Sequence, residues 1–131
     1  SADPRAYYLY FPDDGTYLKE SWSGREGFWL RGGRRAEVLL RALEAAREVR
    51  VRVTGGPAGD EVTLDAGAGS RTVTLAAGET REVTLPPGRY FPYKETCVYV
   101  LRLRSRRGAP DARQRPEPNR LGAFVEISLV G

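Results

Sequence analysis

The feature that most restricts the fold is a run of short segments between residues 47 and 85 in which apolar and polar side chains alternate. Val49, Val51 and Val53 alternate with arginines, and three Val-Thr-Leu segments come after them at intervals of about ten residues. A period of two places the apolar side chains of a strand on one face, and β-branched residues favour extended backbone. Because glycine- and proline-rich stretches separate the segments, the region predicts successive antiparallel strands that each bury one face.

Similar segments flank this region on both sides. The alternation predicts the following strands: 6–11, 26–31, 37–42, 47–53, 61–64, 72–75, 82–85, 96–105 and 122–130. A set of about nine short strands with this spacing is typical of an all-β fold, a two-sheet antiparallel β-sandwich of jelly-roll or immunoglobulin-like type. The pattern does not distinguish between these two topologies.

Residues 34–48 allow a second interpretation. Ala36, Leu40 and Leu43 have helical spacing, and alanine, glutamate and arginine are good helix formers. We favour a strand because both neighbouring segments are strands and Gly32-Gly33 offers a hairpin-type turn. The helix stays open as the alternative.

The length of 131 residues fits one domain, and a domain of this size buries about two thirds of the surface of its unfolded chain. We therefore predict a single β-sandwich domain over residues 1–131. Residues 106–120 show no periodicity and contain three prolines, so we expect a long loop there, of a kind that is usually functional or disordered. No segment has the length and hydrophobicity of a membrane span.

Several kinds of catalytic and metal chemistry are excluded by composition. Histidine is absent and Cys97 is the only cysteine, so Ser-His-Asp and Cys-His catalysis, an intrachain disulfide and His- or Cys-rich metal sites are ruled out. The acidic residues match no known calcium loop, and residues 12–15 are better explained as a turn. Several carboxylates could be nominated for glycoside hydrolysis, and none stands out. We expect no catalytic residues, no metal and no cofactor.

The charge balance permits an anionic partner without requiring one. The chain has 21 Lys+Arg and 17 Asp+Glu, for a net charge of +4. Nucleic-acid binding by a β-sheet combines basic stripes with exposed aromatic residues on the same face. Since the arginine-rich strands at 47–53 and 96–105 lack such aromatic residues, we predict no nucleic-acid partner and interpret their arginines as a solubilising face that also protects sheet edges.

Aromatic residues are the most informative candidates for a binding site. Exposed rings stack on the C–H faces of sugars, while arginine and carboxylate side chains hydrogen-bond to hydroxyl groups. The segment 17–31 has this inventory, and we predict a carbohydrate-binding site there. Its candidate residues are Tyr17, Trp22, Arg25, Glu26 and Trp29. A second aromatic group, Tyr90, Phe91 and Tyr93, precedes the strand at 96–105. The competing interpretation is that most of these rings pack in the core or at sheet edges.

The sequence resembles accessory β-sandwich domains of bacterial cell-envelope and secreted proteins, some of them attached to glycan-handling enzymes. The resemblance is carried by 27–33 (GFWLRGG), 36–40 (AEVLL), the Val-Thr-Leu strands that end at 86–88 (PPG), and 91–94 (FPYK). It spans most of the chain, consists of strand and turn patterns, and carries over no catalytic residue. It implies an extracytoplasmic β-sandwich module whose partner is a glycan or a cell-envelope component.

The sequence is compatible with three functional hypotheses. The first is a non-catalytic extracytoplasmic binding or accessory module that recognises carbohydrate or cell-envelope glycan. The second is a structural or self-assembly domain in which the strand at 6–11 pairs with another subunit to form a homo-oligomer, or with domains of a parent protein. The third is a glycan-processing enzyme that uses two carboxylates. Because the sequence begins at Ser1, we expect a processed mature protein or a domain of a longer one, and either agrees with an extracytoplasmic location.

Overall fold

The structure is a computed structural model that describes residues 7–10, 20–22, 25–106 and 121–131, with side chains described in 27–106 and 121–131. Every regular element in these ranges is a β-strand. The strands are β1 (Tyr7–Tyr10), β2 (Glu20–Trp22), β3 (Arg25–Arg31), β4 (Arg35–Ala42), β5 (Glu48–Gly55), β6 (Asp60–Asp65), β7 (Ser70–Leu75), β8 (Thr80–Leu85), β9 (Phe91–Tyr93), β10 (Thr96–Ser105) and β11 (Leu121–Val130). No helix in the described part of the chain is long and apolar enough to cross a membrane.

The strands form two antiparallel sheets. Sheet I has the order β2-β3-β11-β5-β8, and sheet II has the order β1-β4-β10-β6-β7, with β9 also pairing with β10. Strands that are consecutive in the chain hold the same place in the two orders, as with β3 and β4, β11 and β10, β5 and β6, and β8 and β7. The chain therefore passes between the sheets at most connections, which is the connectivity of a jelly roll. The predicted all-β, two-sheet sandwich is confirmed.

All nine predicted strands are present, and two further strands of three residues each, β2 and β9, were not predicted. The segment at 35–42 is a strand, so the helical alternative for 34–48 is wrong. The physical reason is that β4 lies between β1 and β10 and pairs with both. Ladder hydrogen bonds on both sides, together with burial of alternate side chains, outweigh helix propensity there.

The turn at Gly32-Gly33 differs from the expectation. The N–H of Arg34 donates to the carbonyl of Arg31 at 3.2 Å, and Gly33 has a φ of 72°, which favours glycine. The turn joins β3 of sheet I to β4 of sheet II, so it crosses between sheets and does not form a hairpin.

Of the loop predicted at 106–120, only Arg106 lies within the described residues, and its N–H donates to the carbonyl of Glu61.

The core lies between the sheets and agrees with the predicted alternation. On β5, Val49, Val51 and Val53 are at most 1% exposed, while the arginines between them are exposed. Full burial of such a side chain contributes about 1.5–3 kcal/mol to folding. Cys97 is partly buried and packs against this core. Each sheet therefore has an inner face that forms the core and an outer face that is turned away from it.

Strand β1 lies at an edge of sheet II and pairs with β4. Its register shifts between Tyr8 and Tyr10, and an irregularity of this kind interrupts the row of backbone donors and acceptors that an edge strand offers to another chain. Subunit pairing through residues 6–11 stays a prediction.

Candidate functional site

The structure describes the predicted binding residues unequally. Tyr17 lies outside the described residues. Trp22 is in β2 and pairs with Arg25 in β3, and Glu26 pairs with Ser21, so the short hairpin brings these backbones together. Their side chains lie outside what the structure describes, and their role in binding stays a prediction.

Trp29 is not the exposed ring that was predicted. It is 6% exposed, and its ring packs edge-on against Phe124 with 5.3 Å between the centroids and 63° between the planes. The two residues are register partners in β3 and β11, so alternation turns both rings to the outer face of sheet I, where each contributes to the burial of the other. The glycine at 27 leaves room for this pair, since a Cβ there would lie 2.9 Å from Cζ of Phe124.

Exposed aromatic side chains are found instead on β9 and just before it. Tyr90, Phe91 and Tyr93 are 43%, 48% and 47% exposed, and with Leu43 they are the exposed large hydrophobic residues of the described chain. Phe91 and Tyr93 pair with Val98 and Thr96 of β10, which places both rings on the outer face of sheet II. We name Phe91 and Tyr93 the aromatic platform.

A two-residue turn between β9 and β10 positions the platform. Lys94 and Glu95 both have positive φ, 45° and 63°, as a type I′ hairpin turn requires. A residue with a Cβ in this region costs about 1–2 kcal/mol, so pairing of β9 with β10 must hold the turn. The hydroxyl of Thr96 also donates to the carbonyl of Tyr93. The ammonium group of Lys94 lies 5.4 Å from the ring centroid of Tyr93, within range of a cation–π contact.

The core side of the same hairpin is anchored by Tyr99. Its ring is 3% exposed and lies 5.7 Å from the ring of Tyr90, centroid to centroid. The hydroxyl oxygen of Tyr99 accepts a hydrogen bond of 2.7 Å from the N–H of Ala46. Burial raises the pKa of Tyr99 above its ordinary value of 10.0, the Ala46 hydrogen bond opposes this, and the nearby Cys97 and Tyr90 add to it. Tyr99 therefore ties the loop after β4 to the strand beneath the platform.

The opposite end of the sandwich holds a buried carboxylate that sequence reasoning missed. Asp60 is 0% exposed; its Oδ2 accepts a 2.6 Å hydrogen bond from Ser105 Oγ, and its Oδ1 accepts one of 2.8 Å from the N–H of Glu61. Ser105 Oγ in turn accepts from the N–H of Gly33 at 3.1 Å. A Cβ at Gly122 would lie 2.7 Å from Asp60 Oδ2 and 2.7 Å from Ser105 Oγ, so no substrate fits between these two oxygens. The arrangement joins turns together and has no space for chemistry.

Metal binding finds no support among the described residues, which contain no group of three or more His, Cys, Asp or Glu side chains that could hold an ion. Five described glutamates lie on the surface and form salt bridges with arginines. Those glutamates are Glu37, Glu48, Glu61, Glu79 and Glu82.

Comparison with known proteins does not identify a family for this chain. The sequence matches no protein-family model and no curated protein. Among solved structures, TmCBM61 in complex with β-1,4-galactotriose is similar at a TM-score of 0.37 with 13% sequence identity, over 97% of this chain and 86% of that chain. The assignment of the fold therefore rests on the strand order of the two sheets.

Proposed function

We propose that the protein is a non-catalytic, extracytoplasmic module that binds carbohydrate, and that the aromatic platform is its contact surface. The observation that carries the proposal is the exposure of Phe91 and Tyr93 on one face of a hairpin held by β10. Exposed aromatic rings stack on sugar C–H groups, and a ligand that covers them removes apolar surface from water. The platform replaces Trp29, whose ring has no free face.

A rigid support strengthens the proposal. A backbone held in a paired hairpin loses little conformational freedom on binding, so more of the contact energy appears as affinity. Next to the platform, the rings of Tyr90 and Tyr99 lie 5.7 Å apart, and the Tyr99 hydroxyl holds the loop after β4 through the N–H of Ala46. The platform is thus preorganised for a ligand that lies flat on sheet II.

The surroundings of Glu37, Glu82 and Asp60 support a binding role over a hydrolytic one. A general acid in glycoside hydrolysis sits in an apolar setting that keeps it protonated. Glu37 and Glu82, by contrast, are exposed and lie 3.2 and 3.6 Å from arginines. Asp60 is buried where no substrate fits. The extracytoplasmic location rests on the resemblance of the sequence to accessory domains of secreted and cell-envelope proteins.

The test is a calorimetric titration with a panel of soluble oligosaccharides and polysaccharides. Replacing Phe91 and Tyr93 together by alanine is expected to weaken binding at least tenfold, the factor that corresponds to about 1.4 kcal/mol. Leu43→Ala is the matched control, because Leu43 is 44% exposed but offers no ring, and it should bind as the native protein does. Binding that survives the double replacement, or no binding across the panel at high protein concentration, contradicts the proposal.

A further inference from the structure

The outer face of sheet II also carries a row of positively charged and hydroxyl side chains. Arg104 of β10 is paired with Arg35 of β4 on one side and with Thr63 of β6 on the other. Thr63 is paired in turn with Thr72 of β7, and their hydroxyl oxygens lie 3.0 Å apart. Residues directly opposite each other in neighbouring strands have Cβ atoms about 4.5–5.5 Å apart. Two guanidinium groups and two hydroxyl groups therefore share one row across four strands.

The next row along the same strands contains one basic and two acidic residues. Arg102 is paired with Glu37 and with Asp65, and its Nε lies 3.2 Å from Oε2 of Glu37. Asp65 also accepts a hydrogen bond of 2.8 Å from the N–H of Gly67. The acidic groups of this row are thus occupied by Arg102 and by the turn after β6.

The row of Arg35 and Arg104 itself contains no acidic residue. Like charges directly opposite each other destabilise a sheet. The salt bridges seen among the described residues include neither arginine. On the outer face of sheet I, in contrast, Arg50 lies 3.2 Å from Glu48 and Arg52 lies 3.6 Å from Glu82. The excess positive charge is a property of the Arg35–Arg104 row.

The row borders a shallow hollow of about 350 Å³, a volume within the range of ligand sites. The hollow is lined by Arg35, Ala36, Glu37, Thr63, Asp65, Arg102, Leu103 and Arg104. A guanidinium group presents a planar fork of N–H donors that fits a carboxylate or a sulfate, and a threonine hydroxyl can add one donor. The chemistry of the row therefore suits an oxyanion.

We infer that Arg35 and Arg104 form an anion-binding site, and that the carbohydrate which binds this protein is an acidic glycan bearing carboxylate or sulfate groups. The second part rests on the proposed function. Val98, the partner of Phe91, and Arg104 are on the same face of β10, six residues apart, or about 20 Å at 3.4 Å per residue. An extended acidic chain lying along β10 contacts the platform with one sugar ring and the arginine row with an anionic group.

The experiment compares glycans of equal length in calorimetric titrations at low salt: a carboxylated oligogalacturonate, a sulfated galactan oligosaccharide and a neutral galactan oligosaccharide. The native protein is expected to bind at least one acidic glycan tenfold or more tightly than the neutral one. Replacing Arg35 and Arg104 together by glutamine should remove this preference. Replacing Arg50 and Arg52 by glutamine changes the net charge equally and should keep it. The two acidic glycans distinguish a carboxylate from a sulfate ligand.

The outcomes separate this inference from the proposed function. Equal binding of acidic and neutral glycans, unchanged by the Arg35 and Arg104 replacements, overturns the acidic ligand and leaves the platform intact. If no glycan binds, the proposed function fails, and inorganic sulfate tests the anion site alone. Sulfate should then raise the thermal midpoint of the native protein, relative to chloride at equal ionic strength, by more than that of the Arg35 and Arg104 variant. An equal rise in both proteins overturns the anion site.

Discussion

The outer faces of both sheets carry aromatic rings and arginines, but the rings are buried on sheet I and exposed on sheet II. On sheet I, the rings of Trp29 and Phe124 are buried and in contact, and Arg52 is matched by a glutamate. On sheet II, Phe91 is exposed and Arg104 lies opposite another arginine. Residue type alone therefore does not mark a binding surface in this fold. What distinguishes sheet II is that the rings of the platform stay exposed and that Arg35 and Arg104 enter no salt bridge seen among the described residues.

The side chains of the two outer faces differ in what they contribute to the free energy of unfolding. A ring buried against another ring stabilises the folded state, whereas a ring left in water contributes little to folding. Opposed arginines reduce stability by a small amount. The exposed rings and the opposed arginines of sheet II thus add less to the free energy of unfolding than the buried rings of sheet I, and they find their use in contact with a partner. Comparing matched substitutions on the two faces tests this interpretation.

The largest expected effect comes from the aromatic residues. Phe124→Ala on sheet I should lower the free energy of unfolding by about 3–5 kcal/mol, because it removes a fully buried ring and leaves a cavity. Phe91→Ala on sheet II should lower it by only about 1 kcal/mol, since about half of the residue is already exposed. Urea denaturation monitored by fluorescence measures both. Phe124→Leu is the milder variant if the alanine protein does not fold, and similar losses at the two positions would remove the distinction.

The strands were predictable because alternation is a local property of the sequence. Val49, Val51 and Val53 face the core as their spacing indicates. The sheet to which each strand belongs depends on contacts far along the chain. A glycine turn such as Gly32-Gly33 is compatible with a hairpin or with a crossing between sheets. Strand β9 is too short for alternation to indicate it, and Pro92 within it argues against a central strand.

The binding surface was less predictable for a related reason. Alternation shows that Trp29 points away from the core, but not whether another side chain covers it. Phe124 packs against it only because β11 pairs with β3, a contact between distant parts of the sequence. The pairing of Arg104 with Arg35 depends in the same way on the register of β10 against β4. Tyr90, Phe91 and Tyr93 were visible as an aromatic group, yet their exposure depends on the short hairpin.

An intermediate effect is expected on the core side of sheet II, beneath the platform. Tyr99→Phe removes the hydrogen bond from the Ala46 N–H and should lower the free energy of unfolding by about 1 kcal/mol at neutral pH. Tyr93→Phe is the matched control on the outer face, where the exposed hydroxyl has no hydrogen bond to the described residues, and it should change stability by less than about 0.5 kcal/mol. Equal losses in the two variants would show that the faces of the hairpin do not differ.

Comparing the native protein with Tyr99→Phe also gives a dependence of stability on pH. Because burial raises the pKa of Tyr99 in the folded state, the folded protein keeps the proton at pH values where the unfolded chain has lost it. The contribution of this phenol is fully present below its ordinary pKa of 10.0 and is lost as the pH rises through the folded value. The stability of the native protein should therefore fall relative to Tyr99→Phe above that pH. Parallel stability curves for the two proteins would contradict the shift.

The smallest effect is a difference in sign between two arginine substitutions. Arg52→Gln should lower the free energy of unfolding by a few tenths of a kcal/mol, since its salt bridge with Glu82 is exposed and solvent screens it. Arg104→Gln should raise it by about as much, because it removes a positive charge opposite Arg35. Both changes should shrink in 1 M salt, where the Debye length is about 3 Å. If Arg104→Gln instead lowers stability at low salt, Arg104 has a stabilising partner within the chain, and the charge difference between the two outer faces disappears.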